Sequence, residues 1–285
     1  NTNDIDVKAQ LTIIELIEKY KIRLSMWSHS HQELFSYAMK YLLDIIPNDI
    51  MPSEVTSEHI ILYIKTLQRK VSNASLMTYL NYIKSFFNYI VDEGYIIKSP
   101  VRKKDIPRKN RTNIVTFDTA LSDKLLTEAF SRDFIFYCIL KLLGFTGVRP
   151  VDLLKLRVKD LDFDNKRIRV RISKTSKEIL FPMYDELETF LRDEMKDIVK
   201  QTPDVLLFDG YSVDRVGRKF RRMKSRLGIL EKYKFNLKTF RKTFATHYEK
   251  KLNIQDVAYL LGHDKTETTR TFYADVVVDD IRNKM

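Results

Sequence analysis

Three observations predict a mainly α chain with a small antiparallel β-sheet, divided into a helical N-terminal domain and an α-rich second domain. Apolar residues recur three and four positions apart through most of the chain, the spacing that lines one face of a helix. Within 161–181 the period changes to two, as Ile168, Val170 and Ile172 alternate with Arg167, Arg169 and Arg171. At 99–111 periodicity stops altogether: six of these thirteen residues are basic and two are proline. That break divides the chain into a domain at 1–99, a basic linker at 100–113 and a domain at 114–285.

Each element has its own signal. Leu11, Ile14, Leu16 and Ile17 open one amphipathic pattern, and Leu34, Phe35, Ala38, Tyr41 and Leu42 form a second. Pro47 and Pro52 break the chain, and Ser57 is placed to cap a helix running to about Gln68. Asn73-Ala74-Ser75 opens the next helix. Its Leu76, Leu80, Ile83, Phe86, Phe87 and Ile90 keep helical spacing until Gly94 ends it. The aromatic stripe Tyr79, Phe86, Phe87 and Tyr89 reads as core. In the second domain, helical patterns cover about 119–131 and 132–143, with Gly144 placed to stop the latter. Pro150 suits the first turn of a short helix and sets Arg149 at its N-terminal edge. Asp164-Asn165 signals a turn before the alternating strand, Lys174-Thr175-Ser176 a turn after it, and helical patterns resume beyond Pro182.

The chain holds 50 Lys and Arg against 38 Asp and Glu, a net charge of +12. Such an excess favours a polyanionic partner. Two segments concentrate it. In the linker, Arg102, Lys103, Lys104, Arg108, Lys109 and Arg111 read either as a solvated connection or as a strap along DNA phosphates. The helical run 215–226 is nearly free of acids and reads as a phosphate-facing surface, with Arg218 and Arg222 as contacts.

Several function classes are disfavoured. The single Cys138 excludes an internal disulfide, suits a reducing cytosol and lies in an apolar run, so it reads as a core thiol. No signal peptide is visible, and no apolar stretch approaches the roughly 20 residues of a membrane span. A cytoplasmic, nucleoid-associated protein is expected. Seven glycines leave no Gly-rich phosphate loop, which argues against an ATP-driven enzyme. His29 and His31 have no further ligands near them, so neither a metal nor a cofactor is expected.

Between Thr146 and Tyr273, basic and hydroxyl-bearing residues stand in an order that suits metal-free cutting of a DNA backbone: Arg149, Lys174, Lys238, Arg241, His263 and Tyr273. Attack on a phosphodiester builds charge on its non-bridging oxygens. Arginines match that charge with paired donors, and Lys or His can protonate the departing oxygen. Each residue alone has a plainer reading. Arg149 can cap a helix or pair with Asp152, Lys174 can be an exposed turn lysine, Arg241 can bridge to a carboxylate, and His263 can be a capping histidine.

Together the motifs resemble the tyrosine recombinase (integrase) family. They are T-G-V-R-P-V-D-L-L-K-L at 146–156, S-K-T-S-K-E-I-L-F-P at 173–182, K-T-F-R-K-T-F-A-T-H at 238–247, L-L-G-H at 260–263 and T-T-R-T-F-Y-A at 268–274. The segments 72–90 and 93–101 resemble that family's core-binding domain, less specifically. The resemblance implies that Arg149 and Arg241 clamp the scissile phosphate, that Lys174 protonates the leaving 5′ oxygen, and that His263 helps position the phosphate and the nucleophile. A tyrosine attacks to give a 3′-phosphotyrosyl link, without metal or nucleotide. It also implies a homotetramer on two paired double-stranded DNA sites, exchanging strands through a four-way junction, with the segment 276–285 docking on a neighbouring subunit or in cis. The length points to a compact Xer-type recombinase or a transposon or plasmid resolvase.

Two positions depart from the family pattern. Lys238 stands where the family usually has histidine, which keeps a positive donor but removes a neutral imidazole base. The family's nucleophile normally lies nine residues after the histidine of L-G-H, and here that residue is Phe272, with Tyr273 one further on. One step along a helix turns a side chain by roughly 100°. Either Phe272 marks the nucleophile's place in an inactivated chain, or the helix is set differently and Tyr273 attacks. A non-catalytic architectural DNA-binding protein and a type IB topoisomerase remain as rival readings.

Overall fold

The computed structural model describes residues 11–47, 49–107, 115–229, 233–262, 281–282 and 284–285. The chain divides into two compact units, Asn1–Thr112 and Asn113–Met285. Among its described residues the first carries four α-helices: α1 (Ile13–Leu24), α2 (His29–Leu43), α3 (Ser57–Lys70) and α4 (Asn73–Asp92). Thr12 starts α1 by a capping box: the Glu15 main-chain N–H donates to its hydroxyl, and its own main-chain N–H donates to the Glu15 carboxylate at 2.8 Å. The buried face of α1 runs through Ile13, Leu16, Ile17, Tyr20 and Leu24. Ile14, expected inside, is 38% exposed, because the buried spacing counts from Ile13, one residue earlier. Thr56 rather than Ser57 occupies the cap of α3.

Helix α4 follows the expected boundaries. Ser72 caps it by accepting from the Ser75 N–H, and Gly94 ends it at φ +79°. Beyond the end, the Gly94 and Tyr95 N–H groups return to the carbonyls of Val91 and Ile90, which satisfies two open helical acceptors. Phe86 and Phe87 are fully buried and Tyr20 packs on Phe35, Phe86 and Tyr89, so the aromatic stripe is core. The expected linker loses its first residues to this unit. Pro100 and Val101 are buried, residues 103–105 form a 3₁₀ turn, and Arg102 pairs with Asp105 at 2.6 Å. A turn of three residues is too short to display a period, which is why the stretch read as linker. Lys103 and Lys104 are exposed; Arg108, Lys109 and Arg111 lie outside the described residues.

The second unit opens with α5 (Thr119–Arg132) and α6 (Phe134–Thr146). Asp133, extended at φ −160°, caps the end of one and the start of the other. Gly144, expected to stop α6, lies inside it; the helix ends at Gly147, with φ +60°. A Cβ on Gly147 would stand 2.7 Å from the Phe244 ring, so the position needs glycine for backbone and for space. Gly147→Ala is expected to cost on the order of 3 kcal/mol and to lower the melting temperature by about 10 °C in a thermal unfolding scan. A melt within 2 °C of the parent (roughly the effect of half a kcal/mol) would refute this.

The short helix α7 (Pro150–Leu153) leads to a three-stranded antiparallel sheet, β1 (Leu161–Asp162), β2 (Arg167–Arg171) and β3 (Glu178–Pro182), in that spatial order. Ile168 pairs with Phe181 and Val170 with Ile179. All four are buried, and the β2 arginines take the other face or the rim. Among the described residues follow α8 (Asp185–Thr189), continued by a π-helical turn at Phe190–Glu194, α9 (Lys196–Val199), α10 (Val213–Arg226), α11 (Leu237–Tyr248) and α12 (Ile254–Leu260).

Cys138 is wholly buried, and burial pushes its thiol up to about 12, which makes it inert. His29 lies 3.6 Å from Glu33, while His31 shares a 2.7 Å hydrogen bond with the Tyr82 hydroxyl. Among the described residues no cluster of His, Cys, Asp and Glu could hold a metal, and no helix is long and apolar enough to cross a membrane. Ile281 is buried in the second unit's core and Met285 packs against it. Val276, Val277 and Val278 lie outside the described residues.

Candidate active site

Arg149 is placed by the sequence on both sides of it. Gly147 turns the chain out of α6, and Pro150 starts α7, leaving Arg149 as its N-cap residue with the carbonyl accepting from the Asp152 and Leu153 N–H groups. Its side chain is 27% exposed, and its Nη1 lies 3.9 Å from Asp152 Oδ2. That is attraction without a hydrogen bond: both atoms are buried and neither has a hydrogen-bond partner. A buried donor left open in this way calls for an acceptor.

Arg241 reaches the same place from α11. Its Nη1 donates to the Gly147 carbonyl at 3.1 Å and its Nη2 to the Leu261 carbonyl. One guanidinium therefore joins the end of α6 to the end of α12. Burial, and then the positive charge of Arg149, lower its pKa from 12.5 to about 10, with Asp152 pulling the other way. It still carries its charge at neutral pH. Among the described residues the site thus sets two mutually repelling cations beside the buried Asp152 carboxylate, and an incoming anion eases that repulsion.

Asp152 does a second job. Its Oδ1 accepts from the Ser173 N–H at 2.8 Å, which anchors the loop between β2 and β3 to the arginine pair. Lys155 Nζ adds a 2.9 Å bond to the Ser173 hydroxyl. The loop closes with Ile172 donating to the Lys177 carbonyl and Ser176 at φ +57°. Lys174 is exposed at its tip. Lys238 is also exposed, in the first turn of α11, three residues before Arg241 and so on the neighbouring helical surface. Gly262, at φ +59°, is where a Cβ would stand 2.8 Å from Ile172 and 3.9 Å from Arg149 Nη1, which lets the end of α12 close on the site.

The structure therefore brings together Arg149, Arg241 and the loop bearing Lys174, and it sets Lys238 beside them. His263, Phe272 and Tyr273 lie outside the described residues, although Gly262 fixes where the chain leaves α12. The bridging role of Asp152 escaped the sequence reading, which paired it with Arg149 alone. Its other partner, Ser173, is 21 positions away and bonds through the main chain, and side-chain patterns carry no sign of such a contact.

Known proteins resemble this chain in sequence and in fold. The Phage integrase family matches residues 119–278, and the Phage integrase SAM-like domain matches residues 12–106. A tyrosine recombinase of Pseudothermotoga lettingae is 31% identical over 242 residues, covering 82% of this chain and 82% of that protein. Tyrosine recombinase XerA of Saccharolobus solfataricus is 30% identical over 267 residues, covering 88% and 84%. Among solved structures, a lambda integrase dimer bound to a COC′ core site superposes with a TM-score of 0.76 at 20% identity, over 100% of this chain and 82% of that one. The Tn1549 transposon integrase in complex with transposon right end DNA gives 0.74 at 18% identity, over 95% and 99%. At such identities the structures establish the fold, while the family matches and the relatives extend over both units. The chain belongs to the tyrosine recombinase (phage integrase) family of site-specific recombinases.

Proposed function

We propose that this chain is built to cut and rejoin DNA strands through a 3′-phosphotyrosyl intermediate, as a homotetramer on two paired sites passing through a four-way junction, in the resolution or integration of a mobile element or replicon. The observation that carries the reading is the meeting of Arg149 and Arg241 around a buried guanidinium nitrogen with no acceptor. A scissile phosphate supplies the missing oxygen and the missing negative charge together. A lambda integrase tetramer bound to a Holliday junction shares the fold at a TM-score of 0.75, which supports the assembly.

In this reading the tyrosine oxygen forms a bond to phosphorus, its phenolic proton passing to solvent, as the bond to the 5′ oxygen breaks. Arg149 and Arg241 hold the charge that grows on the non-bridging oxygens. Lys174, at the loop tip, gives its proton to the departing 5′ oxygen. Lys238 adds a positive donor to the phosphate, and His263 steadies phosphate and nucleophile. Phe272 stands in the nucleophile's place, so the chain as it is binds DNA without cutting it. The first unit binds the core of the site, and the exposed Lys103 and Lys104 contribute phosphate contacts.

Covalent capture tests the function: nicked duplexes from a randomised pool are offered to the Phe272→Tyr chain and examined for detergent-resistant adducts. Their absence on DNA that the chain demonstrably binds would leave an architectural DNA-binding protein. The acid role has its own test in the same background. Lys174→Ala is expected to lower cleavage of ordinary DNA by roughly 10²–10⁴-fold and to recover nearly full rate when the 5′-bridging oxygen is replaced by sulfur, since a thiolate leaves without a proton. Equal losses on both substrates would remove Lys174 from that role.

A further inference from the structure

The segment that carries Arg149 also holds a second grip on the loop of Lys174. The Arg149 carbonyl accepts from the Asp152 N–H at 2.9 Å, and the Asp152 carbonyl accepts from the Lys155 N–H at 3.2 Å. Main-chain bonds spanning three residues bring the side chains at that interval to one side of the chain. Arg149, Asp152 and Lys155 therefore share one side of α7 and the turn after it. Two of them reach the same residue of the β2–β3 loop. Asp152 Oδ1 accepts from the Ser173 N–H at 2.8 Å, and Lys155 Nζ donates to Ser173 Oγ at 2.9 Å.

The loop's own bonds give it a shape but not a place. The Ile172 N–H donates to the Lys177 carbonyl at 2.7 Å, and the Thr175 and Ser176 N–H groups return to the Ile172 carbonyl. All of these lie within the turn. A bond to the Ser173 N–H alone fixes one point and leaves the turn free to pivot on it. A second bond, to the side chain of the same residue from a donor three positions further along α7, opposes that pivot. Lys155 is itself exposed, but Leu153, Leu154 and Leu156 beside it are buried, so the main chain from which it reaches is fixed. Lys174 is the next residue after the one so held.

We infer that Lys155 is a positioning residue for protonation of the leaving 5′ oxygen. It fastens Ser173, so that Lys174 meets that oxygen in one geometry, and it exchanges no proton itself. The inference rests on the strand-cleavage reading above and adds the residue that aims the acid. Aim matters in such a step, since a misplacement of about 1 Å costs roughly 10²-fold in rate.

The test is single-turnover cleavage by the full Phe272→Tyr chain at saturating DNA. The substrate is a duplex recovered by covalent capture and made with either oxygen or sulfur at the 5′-bridging position. Lys155→Met and Ser173→Ala are each expected to slow cleavage of the oxygen duplex by about tenfold, part of the roughly 10²–10⁴-fold that a placed acid supplies. On the sulfur duplex, whose thiolate leaves without a proton, both are expected to stay within about twofold of the parent. Ser173→Thr keeps the hydroxyl and is expected to keep the rate on oxygen. Lys155→Met and Ser173→Ala combined are expected to lose no more than the larger single loss, because both break one bond. Thermal melts confirm that each variant is folded. No loss on oxygen, equal losses on oxygen and sulfur, or losses that multiply in the double variant would each overturn the inference. A Phe272→Tyr chain that forms no adduct on DNA it binds would overturn the strand-cleavage reading itself, which is a separate outcome.

Discussion

On the proposed reading, Phe272→Tyr is expected to yield a chain that accumulates detergent-resistant adducts on nicked duplexes, where the parent yields none. The physical reason is a single missing atom. Phenylalanine fills the space of tyrosine but offers no oxygen, and removing a nucleophile costs on the order of 10⁶-fold in rate in a well-studied protease. Everything else the reaction asks for is independent of residue 272. Arg241 is held by two main-chain carbonyls, Arg149 lies 3.9 Å from Asp152, and the loop bearing Lys174 is fastened to that same carboxylate. A phenol with a pKa near 10 is a poor nucleophile until its developing anion and the phosphate's charge are met by cations, and those cations are already assembled. The control is Tyr273→Phe. In the Phe272→Tyr background it should leave adducts in place. Adducts from the parent chain that vanish with Tyr273→Phe would instead move the nucleophile one position along.

The sequence made periodic features legible and left unperiodic ones hidden. Helix α4 could be read from Asn73 to Gly94 because a cap, an apolar stripe and a glycine stop agree over twenty residues. The β2 strand was legible from its alternation, since Ile168, Val170 and Ile172 are all buried. The misplaced end of α6 shows the limit. Two glycines stand three residues apart, and only tertiary space separates them: Gly144 fits inside a helix near Phe240, whereas Gly147 lies against Phe244 at a positive φ. The candidate site was legible as a set of residue types. Its wiring was not, because the acceptors for Arg241 are carbonyls 94 and 20 positions away, and carbonyls have no sequence signature. Charge was the least legible of all. Seven cations on α10 look alike in sequence, and the acids that pair with Lys219 and Arg226 lie 86 and 98 positions upstream.

Arg241→Lys, made in the Phe272→Tyr background, is expected to lower the cleavage rate of bound DNA by about 10²–10³-fold while weakening DNA binding by less than about fivefold, the share of one phosphate contact. Lysine keeps the positive charge, so binding that depends on charge alone survives. What it lacks is the planar fork. Arg241 holds the Gly147 and Leu261 carbonyls through two nitrogens of one rigid group, and a single ammonium can meet one of those carbonyls but cannot span both and face a phosphate as well. The change therefore loosens the end of α12 from the end of α6, just before the chain continues to His263 and residue 272. Single-turnover cleavage at saturating DNA separates the two effects, because it reads the rate of bound complex alone. A loss in cleavage no larger than the loss in binding would mean that Arg241 only attracts DNA. The expected divergence between them would mean that its geometry, more than its charge, serves the transition state.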